Sequence, residues 1–126
     1  MKILAFDPGE TTGWAAVDYI HATWGEFKEL TRIITLINEC SPDVVVVESF
    51  RLYPWMAKTL SWNSFRAVEM IGAIKLVCEL QDIKVEMQSA AMMKFPKHII
   101  AKPAKMSKHA YDAYCHAEIY RRRQKK

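Results

Sequence analysis

The sequence opens with three short apolar runs whose lengths suit β-strands. Lys2–Phe6 is almost wholly apolar and ends at an Asp-Pro-Gly turn signature that begins at Asp7. Gly13–Tyr19 alternates and leans apolar, and Ala22–Phe27 follows after a few residues. Because the connections are short, these three runs predict an antiparallel meander.

The next part of the chain changes from a strand pattern to a helical one and back. Lys28–Cys40 is predicted to be an amphipathic helix, with apolar residues at helical spacing: Leu30, Ile33, Ile34 and Ile37. Val44–Val47 is a run of four β-branched residues that ends at Glu48. A run that is apolar on both faces is typical of a central strand with parallel neighbours.

A long helix is predicted over Lys58–Leu80, after an aromatic loop. One of its faces is traced by Trp62, Phe65, Ala73, Leu76 and Leu80. A second apolar face is formed by Met70, Ile71, Ile74, Val77 and Cys78. Since one buried face does not need so many apolar residues, the second face either packs inside the protomer or forms a dimer interface.

The last third of the chain predicts a strand and two helices. Lys84–Met87 is a short strand, Ser89–Met93 begins a short helix, and Ser107–Arg122 is a final helix with Ser107 as N-cap. The order β-β-β-α-β-α-β-α therefore predicts one α/β domain over residues 1–126, built on a mixed sheet with helices on both faces.

Composition narrows the class of protein. A chain of 126 residues can bury a core without disulfides or a structural metal. The cysteines, Cys40, Cys78 and Cys115, are far apart and odd in number, which favours free thiols. No apolar run is long enough to span a membrane, and Asp7 interrupts the first apolar stretch, unlike in a signal peptide. We therefore expect a cytoplasmic protein without membrane association.

Charge is distributed unevenly along the chain. Residues 1–86 hold 8 Lys or Arg against 12 Asp or Glu, whereas residues 87–126 hold 10 against 2. Such asymmetry is typical of a protein that meets a polyanion at one end, although a basic tail is often only a solvated face. Charge alone leaves nucleic-acid binding and a solvated surface about equally supported.

Acidic residues stand at three places where a scaffold presents functional groups. Asp7 ends the first strand, Glu48 ends the valine strand, and His109 and Asp112 share a face near the start of the last helix. Taken singly, each is explained as a turn, strand-end or helix-dipole residue. Taken together they predict a carboxylate site for Mg²⁺ or Mn²⁺, of the kind that hydrolyses phosphodiesters with two ions.

Three segments resemble the motifs of RuvC-like Holliday junction resolvases, and they follow in the same order. Ile3–Ala15 resembles the opening motif of that family, and Val44–Glu48 resembles its second motif, a hydrophobic strand closing on glutamate. His109–Ala113 resembles the last motif, in which Asp or His precedes the final Asp by three residues. The resemblance implies the RNase H-like fold and a metal-dependent endonuclease that resolves four-way or other branched DNA.

The resemblance also implies roles for individual residues. Asp7, Glu48, His109 and Asp112 would bind two Mg²⁺ ions, for which Mn²⁺ can substitute, with no organic cofactor; His109 would act as ligand or as proton shuttle. A homodimer would nick two strands symmetrically, and the short chain fits small phage-encoded members best. DNA contacts are expected from residues after Glu48 and from the basic stretch before the last helix: Phe50, Arg51, Tyr53, Trp55, Lys97, Lys102, Lys105 and Lys108.

Other interpretations compete with the resolvase. The same scaffold and acids suit an RNase H-type nuclease acting on RNA or RNA–DNA hybrid. A non-catalytic module that only binds branched DNA would use the basic half alone. An ATPase of the actin and sugar-kinase type shares an Asp-x-Gly-x-Thr motif, but it needs two large domains, for which this chain has no room.

Overall fold

The computed structural model describes residues 1–50, 62–93 and 99–124, without the side chains of residues 62 and 63. A 3₁₀ turn at Ala90–Met93 lies where the short helix was predicted. The strands and helices are β1 Ile3–Asp7, β2 Thr12–Val17, β3 Ala22–Phe27, α1 Thr31–Cys40, β4 Val44–Glu48, α2 Trp62–Leu80, β5 Lys84–Gln88 and α3 Lys108–Gln124. The predicted order of elements is confirmed.

The five strands form one mixed sheet in the order β3-β2-β1-β4-β5. β1 pairs antiparallel with β2 and parallel with β4, and β4 pairs parallel with β5. The register sets Phe6 opposite Val47, and Asp7 and Glu48 are the next residues of these two strands. The run of valines therefore lies inside the sheet with a parallel neighbour on each side, as its composition predicted.

Alternate residues of β1 and β4 enter two separate cores because side chains of a strand point to opposite faces in turn. On one face the sheet packs against α1 and α2, through Leu4, Phe6, Val45, Val47, Ile33, Leu36, Ile37, Met70, Ile74 and Cys78. On the other face it packs against α3, through Ile3, Ala5, Ala15, Val17, Val44, Val46, Ala113, Ala117 and Tyr120. The prediction of helices on both faces is confirmed.

Of the two apolar faces of α2, the second packs inside the protomer, which was one of the two alternatives for it, and the first is the exposed one. Met70, Ile74 and Cys78 are fully buried, whereas Phe65 and Leu76 are more than half exposed and so is Leu80. Because this helix has apolar residues on all of its sides, its periodicity does not show which face is buried. The buried face is set by the fit of the helix against the sheet and α1.

The prediction for α1 needs a smaller correction. The helix begins at Thr31, and its buried residues are Ile33, Leu36 and Ile37. Leu30 and Ile34 are exposed instead, at 36% and 47%. Leu36 lies at helical spacing from Ile33, so the apolar stripe is rotated by part of a turn from the predicted one.

Candidate active site

Strand alternation directs two carboxylates to the α3 face of the sheet. Ile3 and Ala5 of β1 pack toward α3, and Asp7 is two residues further along the same strand. Val46 of β4 also packs toward α3, and Glu48 follows it by two. Since β1 and β4 are parallel neighbours, both carboxylates lie at the same edge, with side-chain exposures of 14% and 20%.

Gly13 allows the start of α3 to reach this edge. It pairs with Asp7 across β1 and β2, and an added Cβ would lie 2.1 Å from the carbonyl oxygen of His109 and 2.2 Å from its carbonyl carbon. Backbone therefore lies directly on backbone here, which only glycine permits. Thr12 stabilises the turn between β1 and β2, since its buried hydroxyl donates to the carbonyl oxygen of Gly9 at 3.1 Å.

His109 comes to the carboxylate edge on the first turn of α3, and Asp112 follows it on the same helix by three residues. The Nδ1 atom of His109 lies 3.6 Å from Oδ2 of Asp7. Asp112 is half-buried and its Oδ1 atom is fully buried. Ser107 caps the helix as predicted, because the amide of Ala110 donates to its Oγ at 3.2 Å. The four residues singled out in the sequence thus belong to three adjoining elements.

His116 is a site residue that the sequence analysis missed. It is fully buried on α3, with Nδ1 2.7 Å from Oε1 of Gln88 and Nε2 3.1 Å from Oε2 of Glu48. Gln88 is itself buried and is the register partner of Glu48 on β5. A signal for His116 exists in the sequence, since it follows Asp112 by four residues and so lies on the same helix face.

The donor chemistry of this edge fits a divalent ion. Within the three described ranges, no three His, Cys, Asp or Glu side chains are grouped closely enough to hold one ion as they stand. The oxygen-rich set of Asp7, Glu48 and Asp112 with one exposed imidazole is, however, the type that Mg²⁺ and Mn²⁺ prefer. Each of the two strand-end carboxylates also lies beside a histidine ring nitrogen, Asp7 beside His109 at 3.6 Å and Glu48 beside His116 at 3.1 Å.

The residues expected to contact DNA divide into those that the structure describes and those that it does not. Phe50 is half-buried just beyond β4, and Lys102, Lys105 and Lys108 are exposed before and at the start of α3. The other four candidates lie outside the described residues: Arg51, Tyr53, Trp55 and Lys97. The three described lysines precede the His109–Asp112 turn directly.

The segment that carries these lysines is anchored to the core. Ile100 and Met106 are buried, and the hydroxyl of Tyr111 donates to the carbonyl oxygen of Ile100 at 2.6 Å. Burial raises the pKa of Tyr111 to about 12, so its hydroxyl keeps the proton that it donates. Lys105 has a φ of 66°, in the left-handed region that favours glycine. The segment of residues 99–108, which we call the basic loop, is therefore anchored to the core where it leads into α3.

Solved structures share the fold of this protein over nearly the whole chain. RuvC of Thermus thermophilus in complex with a Holliday junction substrate has a TM-score of 0.74 at 17% identity, covering 98% of this chain and 96% of that one. A second RuvC structure from the same organism gives 0.72 at 16%, covering 98% and 97%. The Fowlpox virus resolvase in complex with Holliday junction DNA gives 0.61 at 16%, with both chains fully covered.

These likenesses identify the fold of the chain. The mixed five-stranded sheet with helices on both faces is an α/β arrangement of the RNase H-like fold. Among such proteins, the fold is that of the RuvC resolvases, as the motifs in the sequence predicted. No protein-family model matches the sequence, and neither does any curated protein. In the part of the chain that the structure describes, no helix is both long and apolar enough to cross a membrane.

Proposed function

We propose that this protein is a divalent-metal-dependent endonuclease that resolves four-way or other branched DNA. The observation that carries the proposal is that Asp7 and Glu48 end neighbouring parallel strands at one edge of the sheet, with His109 of α3 at 3.6 Å from Asp7. The RuvC and Fowlpox virus resolvase structures that share the fold contain Holliday junction DNA, which supports the choice of substrate. The basic loop beside the edge supports a polyanionic ligand.

Each element of the fold contributes different groups to the proposed site. Asp7 and Glu48 offer oxygen ligands from rigid strand ends, while Asp112 and His109 complete the set from α3. Two Mg²⁺ ions, or Mn²⁺ in their place, would supply an activated water and stabilise the leaving oxygen when bound. Lys102, Lys105 and Lys108 would contact phosphates, which fixes the DNA without selecting a sequence. All of these residues belong to the one nuclease domain that we propose for residues 1–126.

We further propose that the protein acts as a homodimer through α2. An exposed apolar stripe runs along this helix at helical spacing, formed by Phe65, Val68, Leu76 and Leu80. A two-fold symmetric junction presents two equivalent strands, and a second copy of the chain meets that symmetry through one self-complementary surface. The three free thiols, of Cys40, Cys78 and Cys115, agree with work in the reducing cytoplasm of a bacterial or phage-infected cell.

The test is cleavage of a synthetic four-way DNA junction with Mg²⁺ or Mn²⁺, beside a linear duplex and an RNA–DNA hybrid. We expect paired symmetric nicks in the junction that disappear in Asp7→Asn while junction binding remains. Asp43→Asn is the matched control, because Asp43 lies at the opposite end of the sheet, where its carboxylate accepts from the amide of Lys2 at 2.7 Å. It should cut like the wild type.

The other outcomes identify the competing functions. Cutting of the hybrid but not of the junction would move the activity to the RNase H type on the same site. Tight junction binding without cutting in either metal would leave a structure-selective DNA-binding protein and refute the enzyme.

A further inference from the structure

His116 connects the carboxylate edge to the interior of the protein. None of its surface is exposed, and its ring lies between Glu48 at the end of β4 and Gln88 at the end of β5. Its immediate surroundings on α3 are Ala113 and Ala117, both buried against the sheet. Small neighbours bring the helix close enough to the strands for an imidazole to reach both polar side chains.

The direction of the hydrogen bond to Glu48 follows from chemistry. An ionised carboxylate only accepts hydrogen bonds, so Nε2 of His116 must carry the proton and donate to Oε2 of Glu48. The second ring nitrogen, Nδ1, lies 2.7 Å from the side-chain amide of Gln88. The amide oxygen can accept from Nδ1 and the amide nitrogen can donate to it, so the contact holds the ring in either orientation of the amide. The imidazole is therefore fixed from both sides and cannot turn away from the glutamate.

A glutamate at a strand end has three side-chain torsions and loses them only where something holds its carboxylate. The bond from His116 supplies that constraint from the buried side, where water cannot compete. The bond engages Oε2, one of the two carboxylate oxygens of Glu48. Burying an imidazole among alanines and valines is unfavourable unless both ring nitrogens are satisfied, and both are.

We propose that His116 is a positioning residue that fixes the carboxylate of Glu48 for metal binding. This inference rests on the proposed function only in taking Glu48 as a metal ligand. Groups that orient metal ligands in this way typically contribute roughly 10- to 100-fold to metal affinity. His116 and Asp112 lie one turn apart on α3, so the same helix that supplies one ligand would also orient another.

The inference is tested by measuring Mn²⁺ affinity calorimetrically, with and without uncut junction DNA. His116→Phe keeps the bulk of the ring but removes the donor, and we expect Mn²⁺ to bind roughly 10- to 100-fold more weakly. His116→Gln keeps an N–H donor and should recover much of the loss. Cys78→Ala is the control, because it removes a buried group on the opposite face of the sheet and should leave the affinity unchanged.

The inference is overturned if His116→Phe binds Mn²⁺ as tightly as the wild type, or if the wild type binds no Mn²⁺. It is also overturned if His116→Gln or Cys78→Ala loses as much Mn²⁺ affinity as His116→Phe. Should His116→Phe fail to fold, Gln88→Met releases the ring from its other partner and should also weaken binding; an unchanged affinity would refute the idea. A wild type that binds Mn²⁺ through this device but cuts no junction would refute the proposed function alone. In wild type, side-chain nitrogen NMR should show a proton on Nε2 of His116, and its absence would contradict the geometry.

Discussion

Replacing Gly13 by alanine perturbs the close backbone contact between β2 and the start of α3. The added Cβ would lie 2.1 Å and 2.2 Å from backbone atoms of His109 and 2.7 Å from the amide nitrogen of Ala110. None of these atoms belongs to a flexible side chain. The start of α3 would have to retreat by about 1.3 Å before the closest pair reached an ordinary contact of 3.4 Å.

The expected magnitudes follow from that displacement. Overpacking of this kind typically costs about 1–3 kcal/mol and sometimes more, and each kcal/mol lowers Tm by roughly 3–5 °C in a chain of this size. The effect on cleavage should be larger in proportion, because a misplacement of about 1 Å can cost about 100-fold in rate. His109 and Asp112 move with the helix, whereas Asp7 stays with the sheet.

The assay combines thermal unfolding with the rate of junction cleavage at saturating Mg²⁺, below the Tm of the variant. Gly72→Ala is the matched control, since Gly72 lies within α2 and nothing stands within 4 Å of its added Cβ. That change should stabilise the protein by about 0.5–1 kcal/mol, because alanine favours the helix. The control for the rate is Asp43→Asn, because Gly72 lies on the exposed face of α2 that is proposed as the dimer interface. A Gly13→Ala variant with wild-type Tm and wild-type rate would refute the argument that this contact assembles the site.

Two further predictions concern the basic loop and α2. Lys105→Gly should stabilise the fold by up to about 1 kcal/mol, because glycine adopts the left-handed backbone without strain. The same change should weaken junction binding and lower the salt dependence of that binding by roughly one phosphate contact. Ser41→Gly, at another left-handed position, is the control and should leave binding unchanged; equal binding by Lys105→Gly would remove Lys105 from the DNA interface. Leu76→Glu should convert a dimer to a monomer in sedimentation velocity without unfolding it, because Leu76 is 57% exposed. Ile20→Glu makes the same kind of change outside α2, at a side chain between β2 and β3 that is 85% exposed, and should leave the dimer intact. A wild type that stays monomeric with junction DNA present would refute the dimer.

The strand pattern was predictable because it depends on local features of the sequence. Four consecutive β-branched residues ending at Glu48 have few alternatives to a central strand, and the turn after Asp7 is strongly marked. Once β1 and β4 are parallel neighbours, the two carboxylates have to meet. This much of the site could therefore be derived from residue order and period alone.

The partners of those carboxylates could not be derived in the same way. Gln88 comes to the site only through the register between β4 and β5, which depends on the packing of the whole sheet. His116 shares a helix face with Asp112, but an isolated buried histidine is usually structural. The buried face of α2 was not predictable either, because Met70 and Leu76 are equally apolar and the tertiary fit decides between them.

The two histidines at this edge differ in what they can do. His109 is 47% exposed and approaches Asp7 at 3.6 Å, so it has room to turn from the carboxylate toward an incoming ion. His116 has no exposed surface and is bonded on both ring nitrogens, so it has no such room. Asp7 and Glu48 lie at one edge of the sheet, where their charges repel each other, and a donor that stays with Glu48 reduces that repulsion whether or not metal is present. We therefore expect the exposed histidine to exchange its carboxylate partner for an ion and the buried one to keep its own.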